Sequence, residues 1–305
     1  MFIVDYRDKV PDTFNFYILG DEHEGRNGIA TKKIEKAVQM IRADKNARWA
    51  NVGDAAEATF IHHPYYSTAV HAGKAATADL QVEVVVKRFT PIGEKCLAML
   101  DGNHEERWIG TTDMSMNIAT ALSNRSNRKE LIPFGGRTCK LLFTDDTKIF
   151  LTHGTGVVNS KAGDPEQREV NDGISIKRRL RDMPRHDCIV NFMGHIHKAR
   201  ISAPSPRLAV VGAEKLHQVY PSVARDNSGY IPEEFCWFGS TGGFLQGYPA
   251  TPWTHLTADT DKSILQDKRS ITTYVEKAGY TVVEIAIIKV VIKKRVVVSV
   301  ERITL

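Results

Sequence analysis

Short apolar runs that stop at glycine or a polar turn recur along the chain, and they set the expected order of elements. Residues 13–19 form an aromatic and β-branched run that ends at Gly20, the pattern of a core strand closed by a tight turn. Residues 48–52 close on Gly53, 95–100 on Asp101-Gly102, 148–152 on His153-Gly154, and 187–193 on Gly194. A further strand is predicted over 139–143, separated from 148–152 by the turn residues Asp145 and Asp146. Helical spacings lie between these strands. Ile34, Ala37, Val38 and Ile41 fall on one face of a helix over 31–43, and helices are also predicted over roughly 69–89 and 166–183. The remainder is β-rich, with runs at 209–211 and 236–238 and a long alternating tail over 280–305. This order predicts an α/β fold.

Ligand-type residues stand directly after five of these strands. Asp21 and His23 follow the first, and Asp54 follows 48–52. Asn103, His104 and Glu105 follow 95–100, His153 follows 148–152, and His195 and His197 follow 187–193. In open α/β sheets, ligands bind in the crevice outside the carboxyl ends of the strands. Alternation along an extended segment would turn Asp21 and His23 to one side and Glu22 to the other, and would pair His195 with His197 likewise.

Taken singly, each block also has a structural reading. Asp21 can cap a nearby helix, and Asn103 can cap a turn with His104 merely exposed. Taken together, five strand ends rich in nitrogen and oxygen donors point to a metal site. Cysteine is absent from the set, which disfavours a thiolate site. Imidazole, carboxylate and amide together suit Mn, Fe, Zn or Ni better than an all-oxygen Mg or Ca cage. His62 and His63, beside Pro64, read as rim residues of a loop. Arg168, Lys177, Arg178, Arg179 and Arg181 read as a solvated basic face, with a phosphate-contacting surface as the alternative. The glycine-rich stretch 239–248 lacks the spacing of a P-loop or a dinucleotide fingerprint and reads as a pocket-edge loop.

Composition narrows the class without naming a function. With 42% hydrophobic and 25% charged residues, a chain of 305 residues can bury a sizeable core. No apolar run approaches the roughly 20 residues that span a bilayer, and the start lacks the order of a signal peptide, so a soluble, cytoplasmic protein is expected. Cys96, Cys139, Cys188 and Cys236 are widely separated and read as reduced core residues. A net charge of +5 and a pI near 8.9 mildly favour anionic partners without establishing nucleic-acid binding. Ligand candidates running from Asp21 to His197, with no repeat or linker, predict one domain over 1–305. Its motif-bearing core would cover about 13–200 and a β-rich extension about 200–305.

The order Asp-x-His, Gly-Asp, Gly-Asn-His-Glu, His, Gly-His-x-His, from roughly Tyr17 to Lys198, resembles the calcineurin-like metallophosphoesterase superfamily. The resemblance implies a four-layer sandwich, two mixed β-sheets packed face to face and flanked by helices. It also implies two divalent ions, with manganese placed first. Asp21, His23, Asp54 and His197 would hold one ion, and Asp54, Asn103, His153 and His195 the other, with Asp54 as the bridge. His104 matches the family's histidine at the substrate, and Glu105 the acidic position that can orient it. Gly53-Asp54-Ala55-Ala56-Glu57 departs from the many members that carry another Asp or Asn after the bridging aspartate, which alters a contact around the site but removes no ligand. The segments 238–242 and 274–280 look similar to phage-type members.

The implied chemistry is attack on a phosphate ester by a metal-bridging hydroxide. Two metals about 3.5–4 Å apart lower the pKa of a shared water and neutralise the phosphoryl oxygens. His104 would then stabilise the transition state or protonate the leaving oxygen, unless it is a further ligand. Basic character leans the expected substrates to phosphodiesters or nucleic acid. The alternatives are a phosphomonoesterase or protein phosphatase-like activity, and a non-catalytic metal-binding scaffold, which usually lacks a histidine or the Asn; none is missing here. A nucleic-acid-binding module without catalysis would rest on the Arg-rich segment alone. A phosphate-ester substrate and no membrane partner are expected, and the sequence leaves the oligomeric state open.

Overall fold

The computed structural model describes residues 1–26, 28–58, 77–108, 113–213, 215–220, 229–245 and 284–305. One mixed sheet has the order β13-β12-β2-β3-β4, built from β2 (Phe14–Leu19), β3 (Ala47–Asn51), β4 (Cys96–Met99), β12 (Ala286–Lys293) and β13 (Val296–Thr304). Strands β2, β3 and β4 run parallel, and β12 joins β2 antiparallel. The second mixed sheet has the order β1-β5-β6-β7-β11-β8. It comprises β1 (Phe2–Asp5), β5 (Thr138–Leu142), β6 (Lys148–Thr152), β7 (Val190–Met193), β11 (Trp237–Ser240) and β8 (Arg200–Ser202). A separate hairpin pairs β9 (Ala209–Val211) with β10 (His217–Val219).

Buried clusters define the layering. Phe14, Phe16 and Ile18 of β2, with Ile288 and Val290 of β12, meet Leu141, Ile149, Leu151 and Phe192 of the other sheet, so the sheets pack face to face. Tyr17 and Leu19, on the opposite face of β2, pack under α1 (Thr31–Ala43), α2 (Ala78–Phe89) and α3 (Met114–Arg125). Phe150, Met193 and Phe238 pack under Ile176 and Leu180 of α4 (Pro165–Arg181). The period of two in β2 thus places consecutive side chains in two different cores.

The expected helical face of α1 is the buried one, Ile34, Ala37, Val38 and Ile41. Its first turn has no side-chain cap, so Asp21 does not cap it. Its carboxyl end is satisfied by Lys95, whose ammonium donates to the carbonyls of Ile41, Arg42 and Asp44 at 2.8–3.0 Å. Thr77, Asp113 and Asp164 cap α2, α3 and α4 by accepting from backbone amides.

Of the helix expected over 69–89, residues 78–89 are helical and 69–76 lie outside the described residues, as do His62, His63, the segment 274–280 and residues 246–248 of the glycine-rich stretch. Strand β1 was not expected. The C-terminal hairpin β12–β13 extends the sheet that carries β2. All four cysteines are free and buried. Among the described residues, no helix is long and apolar enough to cross a membrane.

Candidate metal centre

The carboxyl ends of β2, β3 and β4 meet those of β6 and β7, and the loops leaving them converge. Loops after β2 and β3 run side by side: Asp21 N donates to Gly53 O at 2.9 Å, His23 N to Asp54 O at 2.9 Å, and Glu24 N to Ala55 O at 3.0 Å. From the other sheet, His195 N donates to both Asp21 carboxylate oxygens at 2.9 and 3.0 Å.

Five of the seven proposed ligands adopt the left-handed backbone: Asp21 (φ 57°), His23 (φ 52°), Asp54 (φ 55°), His195 (φ 72°) and His197 (φ 53°). Each such non-glycine residue costs about 1–3 kcal/mol and persists only where its surroundings hold it, a pattern that clusters at functional sites. Side-chain convergence therefore does not come from extended alternation, as the sequence suggested. Instead, left-handed residues curl the chain back on itself after each strand. Gly102 allows the closest approach, since a Cβ there would collide with the Asp54 carboxylate.

All seven expected ligands come together. Asp21, His23 and His197 form one group whose ligand atoms lie within 4.8 Å of one another, and Asp54, His153 and His195 form a second. Asp54 stands between them. Its Oδ2 lies 3.6 Å from His23 Nε2 and 3.3 Å from His153 Nε2. His23 Nε2 is 3.2 Å from His197 Nε2, His195 Nδ1 is 3.2 Å from His153 Nε2, and Asn103 Oδ1 is 3.0 Å from His153 Nε2. Imidazoles and carboxylates aimed at common points inside a buried crevice could hold a metal ion.

His104 reaches the same centre, with Nε2 3.9 Å from Asp54 Oδ2, and is 2% exposed. Its acidic neighbour is not Glu105. The Glu105 carboxylate accepts from the amides of Asp54, Ala56 and Gly102 at 2.8–3.0 Å, so it fixes the turn that carries Asp54. Glu57 instead lies 3.4 Å from His104 Nδ1 and 3.0 Å from His23 Nδ1, and Arg26 donates to it at 3.2 Å. The expectation that Glu105 orients His104 is therefore corrected to Glu57. Its signal was present in the sequence as a carboxylate three residues beyond Asp54. His23, Glu57 and His104 form a third group that could hold an ion.

Electrostatics within the crevice balance buried acids against protons. Burial works against a charged His104 and a charged His153, but Glu57 and Asp54 outweigh it at His104 and Asp54 does so at His153, lifting both to about 9. Burial raises Asp21 to about 8. Burial also opposes charge on Asp54, yet His153 and His104 hold its carboxyl well below the usual range. Burial, reinforced by His153, lowers His195 to about 4.

Protons on His153 and Asp21 must leave when an ion binds, so uptake near neutral pH should release protons and strengthen as pH rises. His104, His153 and Asp21 all bind protons more tightly folded than unfolded. Their stabilisation is complete below the unfolded values and is lost as pH climbs through about 8 to 9. The melting temperature of chelator-treated protein should therefore fall more steeply between neutral pH and pH about 9 than that of metal-loaded protein, in which His153 and Asp21 carry no proton to lose. Parallel melts in one buffer series check this, and identical pH slopes would contradict it.

Most of the basic side chains of α4 are engaged with the protein itself. Arg179 donates to Thr155 O and Val157 O, Arg168 to Ala162 O and Gly163 O, and Lys177 lies 5.2 Å over the Phe238 ring. Two of these arginines thus pin the loop beyond His153, which favours a structural role for this face. No family model and no curated protein matches the chain, so the functional reading rests on this crevice.

Proposed function

We propose that the protein is a dinuclear metal-dependent phosphoesterase of the calcineurin-like kind. The observation that carries this reading is Asp54, a buried carboxylate between two groups of imidazole and carboxylate donors, with a further histidine at hand. Asp21, His23 and His197 would hold one ion and Asn103, His153 and His195 the other, with Asp54 shared between the two donor groups. When bound, the ions neutralise phosphoryl oxygens and lower the pKa of water so that it can attack at neutral pH.

The chain's own residues supply the remainder. Asp54 keeps its charge and fixes the spacing of the two donor groups. Glu105 holds the backbone under Asp54, and Asp21 is braced by the His195 amide. Glu57 keeps His104 protonated, so its Nε2 can donate to a leaving oxygen. A phosphodiester substrate is favoured over a monoester on the chain's basic balance.

A mononuclear site on His23, Glu57 and His104 is the competing arrangement. It is disfavoured because Arg26 already shares the Glu57 charge.

Glu57→Gln keeps the shape and removes the charge that raises His104. The basic limb of the pH–rate profile should move to lower pH, with metal content unchanged; an unmoved limb would remove Glu57 from this role. The function itself is tested by assaying metal-replete protein on an aryl phosphodiester, an aryl phosphomonoester, and single-stranded and duplex DNA. Hydrolysis of the diester above the monoester is expected. No turnover with any of several divalent ions would reject the proposal.

A further inference from the structure

The ends of β3 and β4 opposite the metal centre open into a concavity of about 570 Å³ lined by five basic and two acidic side chains. Five residues of β3, at about 3.3 Å each, separate the two ends of that strand by roughly 15 Å. Here Arg48 and Arg128 stand together on the wall, and among the described residues no carboxylate lies within ion-pair distance of either.

Arg48 is half-buried, and among the described residues its one hydrogen bond runs from Nη1 to Ala47 O at 2.7 Å. Arg128 donates from Nε to Glu130 O and from Nη1 to Gly93 O, Glu94 O and Cys96 O, leaving Nη2 uncommitted. Lys95 caps α1 and likewise meets only carbonyls. Lys45 is exposed on the turn before β3. Of the two acids, Glu130 pairs with Lys9 at 3.2 Å, and Glu94 is exposed. Burial holds Arg48 below the usual arginine range; Glu94 opposes that shift and the nearby Arg128 adds to it.

Partly desolvated like charges without an ion-paired carboxylate are unfavourable unless an anion joins them. Planar guanidinium forks with free N–H groups match phosphate oxygens in bidentate fashion. Several cations around one polar hollow suit linked phosphates better than a single one. The aromatic ring in the lining, Tyr6, is buried with its hydroxyl donating to Leu97 O, which leaves no face on which a base could stack.

We propose that this concavity is a second, non-catalytic anion site that takes a short polyphosphate chain, free or as the phosphate tail of a nucleotide. Binding is independent of the metal centre.

The full-length chain, dialysed against chelator so that metal does not sequester the probe, is titrated calorimetrically with inorganic tripolyphosphate, ATP and adenosine at low salt. Tripolyphosphate and ATP should bind one to one with similar affinity, weakening as salt rises, and adenosine should not bind. Arg48→Gln should weaken binding at least about tenfold, the scale of one lost charge-assisted contact. Lys45→Gln, on the exposed turn, should give a smaller loss without perturbing the fold, and Asp54→Asn should bind tripolyphosphate like the parent. Comparable ATP and tripolyphosphate affinities indicate the phosphate chain itself as the ligand. A much tighter ATP would place recognition on the nucleoside and overturn the site as drawn. No binding of tripolyphosphate, unchanged binding in both Arg48→Gln and Lys45→Gln, or loss in Asp54→Asn would also overturn it.

Discussion

Asp54→Asn is expected to lower the bound metal sharply and to reduce hydrolysis by on the order of 10³-fold or more, the consequence of losing several kcal/mol of charge stabilisation. The substitution is nearly isosteric. An asparagine Oδ1 can still accept from His104 N, as Asp54 Oδ1 does at 2.9 Å, so the turn should survive. What goes is the negative charge that His23 Nε2 and His153 Nε2 flank at 3.6 and 3.3 Å. No other ligand touches both donor groups in this way. Metal analysis alongside turnover checks the result, and survival of both would contradict the two-ion assignment.

His104→Ala separates an enzyme from a metal-holding scaffold. If His104 donates a proton, both ions should stay bound while kcat falls on the order of 10²–10⁴-fold, the range for losing a general acid. The loss should shrink on good leaving groups. A p-nitrophenolate departs without a proton, whereas a sugar alkoxide does not, so an activated aryl diester should suffer far less than an oligonucleotide. Equal losses on both would assign His104 to transition-state charge stabilisation. Loss of metal would make it a ligand, through the group it forms with His23 and Glu57. Unaltered activity on both substrates would reject the mechanism.

The order of strands and the donor after each were legible because they are local: an apolar run, a glycine, then Asp, His or Asn. The geometry that joins the donors was not. Alternation paired Asp21 with His23 and His195 with His197, yet all four adopt the left-handed backbone, and the amides of Asp21, His23 and His195 bond to loops far away in sequence. Glu105 follows His104 in the chain, but the short helical turn over Glu105–Arg107 directs its carboxylate to the Asp54 amide instead. Glu57 reaches His104 across 47 residues, a contact that no local pattern encodes. Strand β1 is four residues with alternate positions exposed, too short and too wet to stand out. The place of β12 beside β2 depends on a partner more than 250 residues earlier, although its own apolar alternation was plain.

Whether Asp54 joins two ions is measured directly by anomalous X-ray scattering from manganese-loaded crystals. Two peaks about 3.5–4 Å apart are predicted. One should lie among Asp21, His23 and His197 and the other among Asn103, His153 and His195, with Asp54 within bonding distance of each. A single peak among His23, Glu57 and His104, or no peak in the crevice, would contradict it.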